Sequence, residues 1–249
     1  DLGKLHEAEF LCRKAIELNP KHAYAHLNQG NILRDLGKLH EAEFLCRKAI
    51  ELKPDFADAY SNLGNILRDL DKLHEAEFLY RKAIKLNPEN AYAHLNLGII
   101  LKNLGQLQEA KLYFHKTIKI NTELVEGYYY LSSIPYSKEK KTWQDKLFSK
   151  SILKNKLEKD KIYIYFARAN ILHKAKIYNK SSKYLNLANE IKLNLKKSNV
   201  NYLINKSKRL LTESRKQEPN HKENKKYPES IFIVGMLRSG STLVESILS

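Results

Sequence analysis

A repeat of 34 residues is the feature that most limits how this chain can fold. Residues 1–34 and 35–68 agree at 27 positions, including the whole of DLGKLHEAEFLCRKAIEL. A third unit begins at Asp69, and a more divergent fourth begins at Asn103. Within each unit, apolar residues recur at helical spacing in two segments. A unit of this size cannot bury its apolar face alone, so successive units are expected to stack into an elongated array of helix pairs.

Residues with packing roles recur at fixed positions of the repeat. Small residues that would let two helices approach closely are Gly30, Gly64 and Gly98 in the first segment, and Ala42, Ala76 and Ala110 in the second. Leucines expected to fill the turn between the segments are Leu36, Leu70, Leu104, Leu39, Leu73 and Leu107. Pro20, Pro54 and Pro88 are expected to end the second helices, because the residue before a proline is pushed out of the helical region.

The period and these residues together resemble the tetratricopeptide repeat family. The resemblance predicts an all-α tetratricopeptide-repeat superhelix, a helix-turn-helix solenoid, over residues 1–124. Counted from the first helix, the units are Ala23–Phe56, Ala57–Asn90 and Ala91–Leu124, preceded by a second-helix remnant at Asp1–His22.

Residues 125–216 read as degenerate repeats and amphipathic helices. Helices are predicted at Val125–Ile134, Lys140–Leu157, Ile162–Lys174, Asn179–Lys192 and Val200–Leu211. Residues 217–229 lack aliphatic side chains and are predicted to be a linker. Residues 230–249 then read as a strand, a tight loop and a helix, which is how an α/β domain begins. Because the chain starts at Asp1 and ends inside an apolar helical pattern, we expect it to be a piece of a longer protein.

The loop after the predicted strand has the composition of an anion site. Gly235 and Gly240 allow close backbone approach, and a helix N-terminus favours a phosphate group. Arg238 offers a planar charged fork, while hydroxyls come from Ser239, Ser241 and Thr242. Ser241 stands where a nucleotide P-loop has lysine, which disfavours an ATPase or GTPase.

This loop resembles the 5′-phosphosulfate-binding loop of the sulfotransferase family, with Leu237 in place of a usual proline. The resemblance implies a truncated α/β P-loop-like domain of the protein-tyrosine sulfotransferase-like type. Its co-substrate would be 3′-phosphoadenosine 5′-phosphosulfate (PAPS), whose sulfuryl group passes to a hydroxyl acceptor, with protein tyrosine as one candidate. Residues implied to hold the 5′-phosphate are Gly235, Arg238, Ser239, Gly240, Ser241 and Thr242. The catalytic residues and the 3′-phosphate site would lie beyond Ser249, so this stretch alone is expected to be inactive.

An asparagine row along the first helices suggests peptide binding. Its members are Asn28, Asn31, Asn62, Asn65 and Asn96. First helices line the concave face of such solenoids, and amide side chains there can bond a peptide backbone whatever its sequence. The repeats of the O-linked N-acetylglucosamine transferase, which these units resemble, carry a similar ladder. Ordinary helix-surface asparagines are the alternative interpretation.

Charge and composition limit the partners, metal sites and locations that can be expected for this chain. The net charge of +16 falls almost entirely in residues 125–249, where 26 basic residues outnumber 11 acidic ones. We interpret this region as a solvated basic surface and expect no nucleic-acid partner, because no aromatic–basic platform accompanies the lysines. No run is apolar enough to span a membrane. Two cysteines without a nearby partner predict no metal site, and reduced cysteines favour a cytoplasmic location.

Several conspicuous residues are assigned structural roles. His6, His40 and His74 recur at the repeat period and are interpreted as surface positions. Cys12 and Cys46 share one second-helix position with Tyr80 and Phe114, which predicts a core position. Tyr128, Tyr129 and Tyr130 are expected to pack the degenerate repeat.

Two functions remain open at this point. The first is a sulfotransferase whose repeat array recruits its acceptor or a partner. The alternative is a non-enzymatic scaffold for protein–protein interaction. An appended glycosyltransferase ranks last, because no sugar-nucleotide motif is present.

Overall fold

The computed structural model describes residues 2–135 and 142–195, and this part of the chain folds as a series of eleven α-helices without strands. The helices are α1 Leu2–Leu18, α2 Ala23–Asp35, α3 Leu39–Leu52, α4 Ala57–Asp69, α5 Leu73–Leu86, α6 Ala91–Asn103, α7 Leu107–Ile120, α8 Val125–Ser133, α9 Thr142–Phe148, α10 Glu158–Lys174 and α11 Tyr178–Leu195. The predicted helix at Val200–Leu211, the linker and the strand-loop-helix of residues 230–249 lie outside the described residues.

The repeat units fold as antiparallel helix pairs, with α2, α4 and α6 as first helices and α3, α5 and α7 as second helices. Each second helix ends two residues before the position of the repeated proline, as in α3 before Pro54 and α5 before Pro88. In the next unit Thr122 replaces that proline, and the Asn121 side chain accepts a hydrogen bond from the Glu123 amide at 2.9 Å. The Asn19 side chain accepts the equivalent bond from the Lys21 amide at 3.2 Å beside Pro20, so this turn forms with and without the proline ring.

The turn inside each pair has one backbone geometry throughout. The second residue after the first helix adopts a left-handed conformation, with φ of 79° at Gly37, 61° at Asp71 and 78° at Gly105. The following amide donates five residues back, as from Lys38 to the Leu33 carbonyl at 2.8 Å, which is the Schellman arrangement. Lys176 has φ of 61° in the α10–α11 turn. The turn of the last helix pair thus has the same left-handed residue as the turns of the regular repeats, with lysine in place of glycine or aspartate.

Close contact between paired helices depends on the repeated glycines. A Cβ atom placed on Gly30 would lie 2.8 Å from the Cys46 sulfur, and one on Gly98 would lie 2.6 Å from the Phe114 ring. The partnering second-helix side chains, Cys46, Tyr80 and Phe114, are all fully buried. The predicted core position is confirmed for these three residues, whereas Cys12 at the same position of α1 is only half-buried. The smaller side chain at Cys46 and the larger rings at the next two units occupy the same place because the first helix leaves room for them.

The array becomes irregular after Pro135. The predicted helix over Lys140–Leu157 is wrong as a single element: α9 ends at Phe148, and a short 3₁₀ helix follows at Ser151–Leu153. The reason is a set of interactions that end α9 early. The Ser149 hydroxyl donates to the Lys146 carbonyl at 2.7 Å. The buried Arg168 guanidinium of α10 donates to the Leu147 and Ser149 carbonyls at 2.9 Å each.

Because α9 is short, α10 packs directly against α8. The tyrosines of α8 lie in this contact. Tyr128 is buried, Tyr130 stacks on Phe114 with ring centroids 5.5 Å apart, and Tyr129 lies 5.5 Å from the Tyr163 ring. These three side chains pack the degenerate unit, as expected from the sequence. The small residues Ala169, Ser181 and Ala188 of the last helix pair are likewise buried.

Candidate peptide-binding surface

The first helices form the inner side of the array. Helix α2 approaches α4, α4 approaches α6 and α6 approaches α8, whereas the second helices of successive units lie farther apart. The array therefore curves around its first helices. The asparagine row comes from α2, α4 and α6, which places it on this inner side.

Two of the five asparagines are joined in a hydrogen-bonded cluster. The Asn65 side-chain oxygen accepts a bond from the Asn96 amide at 3.1 Å and another from the Tyr80 hydroxyl at 2.7 Å. The Arg68 guanidinium donates to the Asn96 oxygen at 3.5 Å. Tyr80 reaches this surface through the gap at Gly64, where a Cβ atom would lie 3.0 Å from its ring. The hydrogen bond from the buried Tyr80 thus fixes the Asn65 side chain, and the bond between the two asparagines fixes the Asn96 side chain.

The other three asparagines are not bonded to one another. Asn28 is exposed, and Asn31 and Asn62 are half-buried. Their side-chain amides make no hydrogen bond within residues 2–135 and 142–195. They therefore present donor and acceptor atoms to solvent beside the fixed pair.

Basic side chains border this row at the ends of the first helices. Arg34 pairs with Asp69 at 2.7 Å, and Arg68 contacts the same carboxylate at 3.2 Å. Lys102, at the equivalent position of α6, lies over the Tyr130 ring at 5.6 Å. The Asp69 carboxylate thus pairs with two of these three cations. These three cations were not predicted as functional residues, although their 34-residue spacing is visible in the sequence.

Lys174 lies at the far end of this basic border. Its ammonium donates to the Ser132 and Ile134 carbonyls at 2.5 and 2.6 Å, which ties α10 to the end of α8. Burial, with a smaller contribution from Lys102, lowers its pKa to about 8. Lys174 therefore loses its proton at a lower pH than an ordinary exposed lysine does.

The repeated histidines are surface residues, as predicted, whereas the two cysteines differ in their burial. His6, His40 and His74 are exposed, and no group of metal-binding side chains occurs in the described part of the chain. Burial raises the pKa of the Cys46 thiol to about 12, which removes its nucleophilic thiolate at neutral pH. Cys12, at the same position of α1, is half-buried. No described helix is long and apolar enough to cross a bilayer.

The phosphate-loop residues lie outside the described residues. These are Gly235, Arg238, Ser239, Gly240, Ser241 and Thr242. Their predicted roles stay predictions that rest on the sequence pattern.

Comparison with protein-family models identifies the repeat type of the N-terminal part of the chain. Models described as tetratricopeptide repeat match residues 1–22, 23–56, 57–90 and 79–111. Residues 1–111 are tetratricopeptide repeats. The matched units at 23–56 and 57–90 have the boundaries predicted from the sequence. No curated protein matches the chain.

Solved structures with similar folds include other tetratricopeptide proteins. A crystal structure of MamA has 19% identity and a TM-score of 0.49, covering 76% of this chain and 90% of that chain. A double mutant of MamA from RS-1 has 13% identity and a TM-score of 0.49, covering 79% of this chain and 89% of that chain. The first tetratricopeptide domain of Spaghetti (RPAP3), bound to the HSP90 peptide SRMEEVD, has 24% identity and a TM-score of 0.43. It covers 44% of this chain and 86% of that chain.

Proposed function

We propose that the tetratricopeptide array is a protein-interaction scaffold whose inner face binds an extended peptide segment. The observation that carries this proposal is the row of asparagine amides on three successive first helices, bordered by Arg34, Arg68 and Lys102. Each amide can both donate to and accept from a peptide bond.

The spacing of the row suits an extended chain. Packed helices lie roughly 8–10 Å apart, and an extended peptide advances about 3.3 Å per residue. About every third peptide group would therefore meet an asparagine from the next first helix. Backbone bonds of this kind give affinity with little sequence preference, so the bordering cations would favour peptides with acidic side chains.

The cluster around Asn65 prepares part of this surface before a ligand arrives. Tyr80 and Asn65 hold the Asn96 side chain in one orientation, which reduces the entropy lost on binding. Asn62, half-buried and not bonded to another asparagine, completes the central stretch. Asn62 and Asn96 are therefore the most informative pair to replace.

We expect Asn62→Ala with Asn96→Ala to weaken peptide binding about 10- to 30-fold, since two lost hydrogen bonds of about 1 kcal/mol each correspond to that factor. Peptides would be selected from an acidic random library on the immobilised 249-residue chain. Affinities would then be measured by isothermal titration calorimetry.

Asn186→Ala on the exposed side of α11 is the matched control, and its affinity should equal that of the unmodified chain. Circular dichroism would show that all variants keep their helices. Equal affinity of the double variant and the control would contradict binding by the asparagine row.

A second function is favoured by the Gly235–Leu243 motif. We propose that the array belongs to a PAPS-dependent sulfotransferase and presents a hydroxyl-bearing acceptor, such as a tyrosine in the bound peptide, to the transferase domain. Arg238 would hold the 5′-phosphate as a fork, and the Ser239, Ser241 and Thr242 hydroxyls would donate further bonds. PAPS would supply the transferred sulfuryl group. A cytoplasmic location is part of this proposal.

Arg238→Ala is expected to weaken binding of adenosine 3′,5′-bisphosphate about 10- to 100-fold in the full-length gene product, because charge-assisted bonds to phosphate contribute about 1.5–3 kcal/mol. Calorimetric titration would measure the affinity. Arg209→Ala, outside the loop, is the control for loss of a positive charge. Unchanged affinity of Arg238→Ala would remove the assigned role of the loop, and absence of binding by the unmodified protein would remove the sulfotransferase proposal. Neither result would affect the peptide-binding proposal.

A further inference from the structure

Large apolar side chains form a row on the outer side of the array. The second helices α1, α3, α5 and α7 each place one such residue at the same repeat position. These residues, called here the apolar band, are Phe10, Phe44, Phe78 and Leu112, and they are 63%, 68%, 69% and 62% exposed. Four exposed apolar side chains at one repeat position of successive second helices are of the kind that marks a protein contact.

The apolar band does not belong to the core of the array. In α3 the buried side chains are Ala42, Cys46 and Ala49, and they face the first helices. Phe44 lies on the opposite side of the same helix. Its exposure follows from its position on the helix and not from a loosely packed core.

Charged residues flank the apolar band on both sides with opposite sign. The acidic band lies three residues before each apolar residue and consists of Glu7, Glu41, Glu75 and Glu109. The basic band lies four residues after it and consists of Lys14, Lys48, Lys82 and Lys116. Residues separated by three or four positions share one face of a helix, so three parallel bands cross the outer surface.

We propose that this banded surface binds a second copy of the chain, forming a back-to-back dimer. A two-fold axis parallel to the bands turns the surface onto itself. Because the array curves around its first helices, the contact is centred on the middle of the outer surface. There the axis places the apolar band of one copy on that of the other, with each basic band over the acidic band of its partner. In a contact between two identical surfaces, each surface must be complementary to itself. The three bands meet this requirement in the proposed arrangement.

The alignment along the helices supports the same symmetry. With a rise of about 1.5 Å per residue, Glu41 precedes Phe44 by about 4.5 Å and Lys48 follows it by about 6 Å. In the dimer, α3 would meet α3 of its partner in antiparallel orientation, with the two Phe44 side chains at the centre. Glu41 of one copy and Lys48 of the other would then lie within about 1.5 Å of the same axial level.

The other possible axis is excluded by charge. A two-fold axis along the helices would place basic band over basic band and acidic over acidic, which is repulsive. The charge pattern therefore favours a second copy of the chain as the partner, with the second helices of the two copies antiparallel.

Ion pairs within the chain do not prevent this contact. Glu75 lies 3.4 Å from Arg47, Glu109 lies 2.8 Å from Arg81, and Lys48 lies 2.9 Å from Glu51. All are surface pairs, which contribute little and exchange readily. The dimer would also leave the inner face open, because the two surfaces lie on opposite sides of the array.

The test measures the mass of the whole 249-residue chain by sedimentation equilibrium over a range of concentrations. We expect the mass to rise toward twice the 29.0 kDa of one chain by about 100 µM. Phe44→Ser with Phe78→Ser should raise the dissociation constant at least about 10-fold. Tyr92→Ser removes an equally exposed ring from first helix α6 and should leave the dissociation constant unchanged.

Charge exchange tests the symmetry itself. Glu41→Lys with Glu75→Lys should be monomeric alone, because lysine would face lysine, and Lys48→Glu with Lys82→Glu should be monomeric for the opposite reason. An equimolar mixture of the two variants should form a heterodimer, since every facing pair is then opposite in charge. Circular dichroism would show that each variant remains folded.

Either of two results would overturn the proposal. One is a monomeric unmodified chain throughout the concentration range, which would leave the apolar band for a different partner. The other is a dimer that persists in the Phe44→Ser, Phe78→Ser variant. A mixture of the charge variants that stays monomeric would overturn the proposed axis.

Discussion

Replacing Phe114 by alanine is expected to lower the free energy of unfolding by about 3–5 kcal/mol, which is the range for removing a large aromatic ring from a core. The Phe114 side chain is fully buried. Its ring stacks on Tyr130 at 5.5 Å between centroids and fills the space left by Gly98. The ring therefore joins the last regular repeat to the degenerate one. Denaturant-induced unfolding followed by circular dichroism would measure the loss.

Tyr92→Ala is the matched control, because this ring is 62% exposed and its removal should change the free energy of unfolding by less than about 0.5 kcal/mol. A loss below about 1 kcal/mol for Phe114→Ala would contradict the packing described here.

Gly98→Ala provides an independent measure of the same contact. In the unmodified chain its Cβ atom would lie 2.6 Å from the Phe114 ring, so overpacking is expected to be destabilising. In the Phe114→Ala background the space is open, and the helix preference of alanine over glycine, about 1 kcal/mol, should make the same change stabilising. A change of sign between the two backgrounds is the expected result, and equal effects would contradict the close approach of α6 and α7.

Arg168→Met should lower the free energy of unfolding by about 2–4 kcal/mol and detach α9, because two carbonyl groups lose a charged donor. The guanidinium is 5% exposed and binds the Leu147 and Ser149 carbonyls at 2.9 Å. It also lies over the Phe148 and Tyr184 rings, at 5.8 and 5.4 Å from their centroids. Methionine would keep part of the packing but none of the hydrogen bonds.

The single tryptophan gives a local measurement of this effect. Trp143 lies on α9 and is 8% exposed, so its fluorescence emission should shift to longer wavelength when α9 detaches. Arg168→Lys should give a smaller shift, since one ammonium cannot reproduce the planar fork. Lys183→Met, which removes an exposed positive charge from α11, is the control and should leave both stability and emission unchanged. An unchanged emission spectrum for Arg168→Met would contradict the role of this side chain.

The regular part of the array could be predicted from the sequence because its stabilising contacts are local and repeated. Gly98 and Phe114 lie in one unit. The two preceding units pair a glycine with Tyr80 and with Cys46 at the same positions. Residues that recur at the same repeat position show in the sequence which positions of the two helices face each other. The helix pairs and their buried small residues could therefore be predicted from these recurring residues.

The inner surface was predicted only in part. The 34-residue spacing indicated which asparagines share a face, but it could not show that Asn65 is bonded to Tyr80 and Asn96 and that Asn62 is not. That difference depends on the tyrosine hydroxyl passing the gap at Gly64, which is a distance between two helices. Asn62 and Asn96, which share one repeat position, therefore differ in their hydrogen bonds.

By itself, the sequence determined a tetratricopeptide array, because a strict period makes each unit bury its apolar face against a copy of itself. Only the tertiary structure decided what happens after Pro135, where α9 ends early and α10 packs directly on α8. The physical reason is that Arg168 binds carbonyl groups about 20 residues away in the chain. Such contacts have no repeated partner and leave no periodic pattern to read.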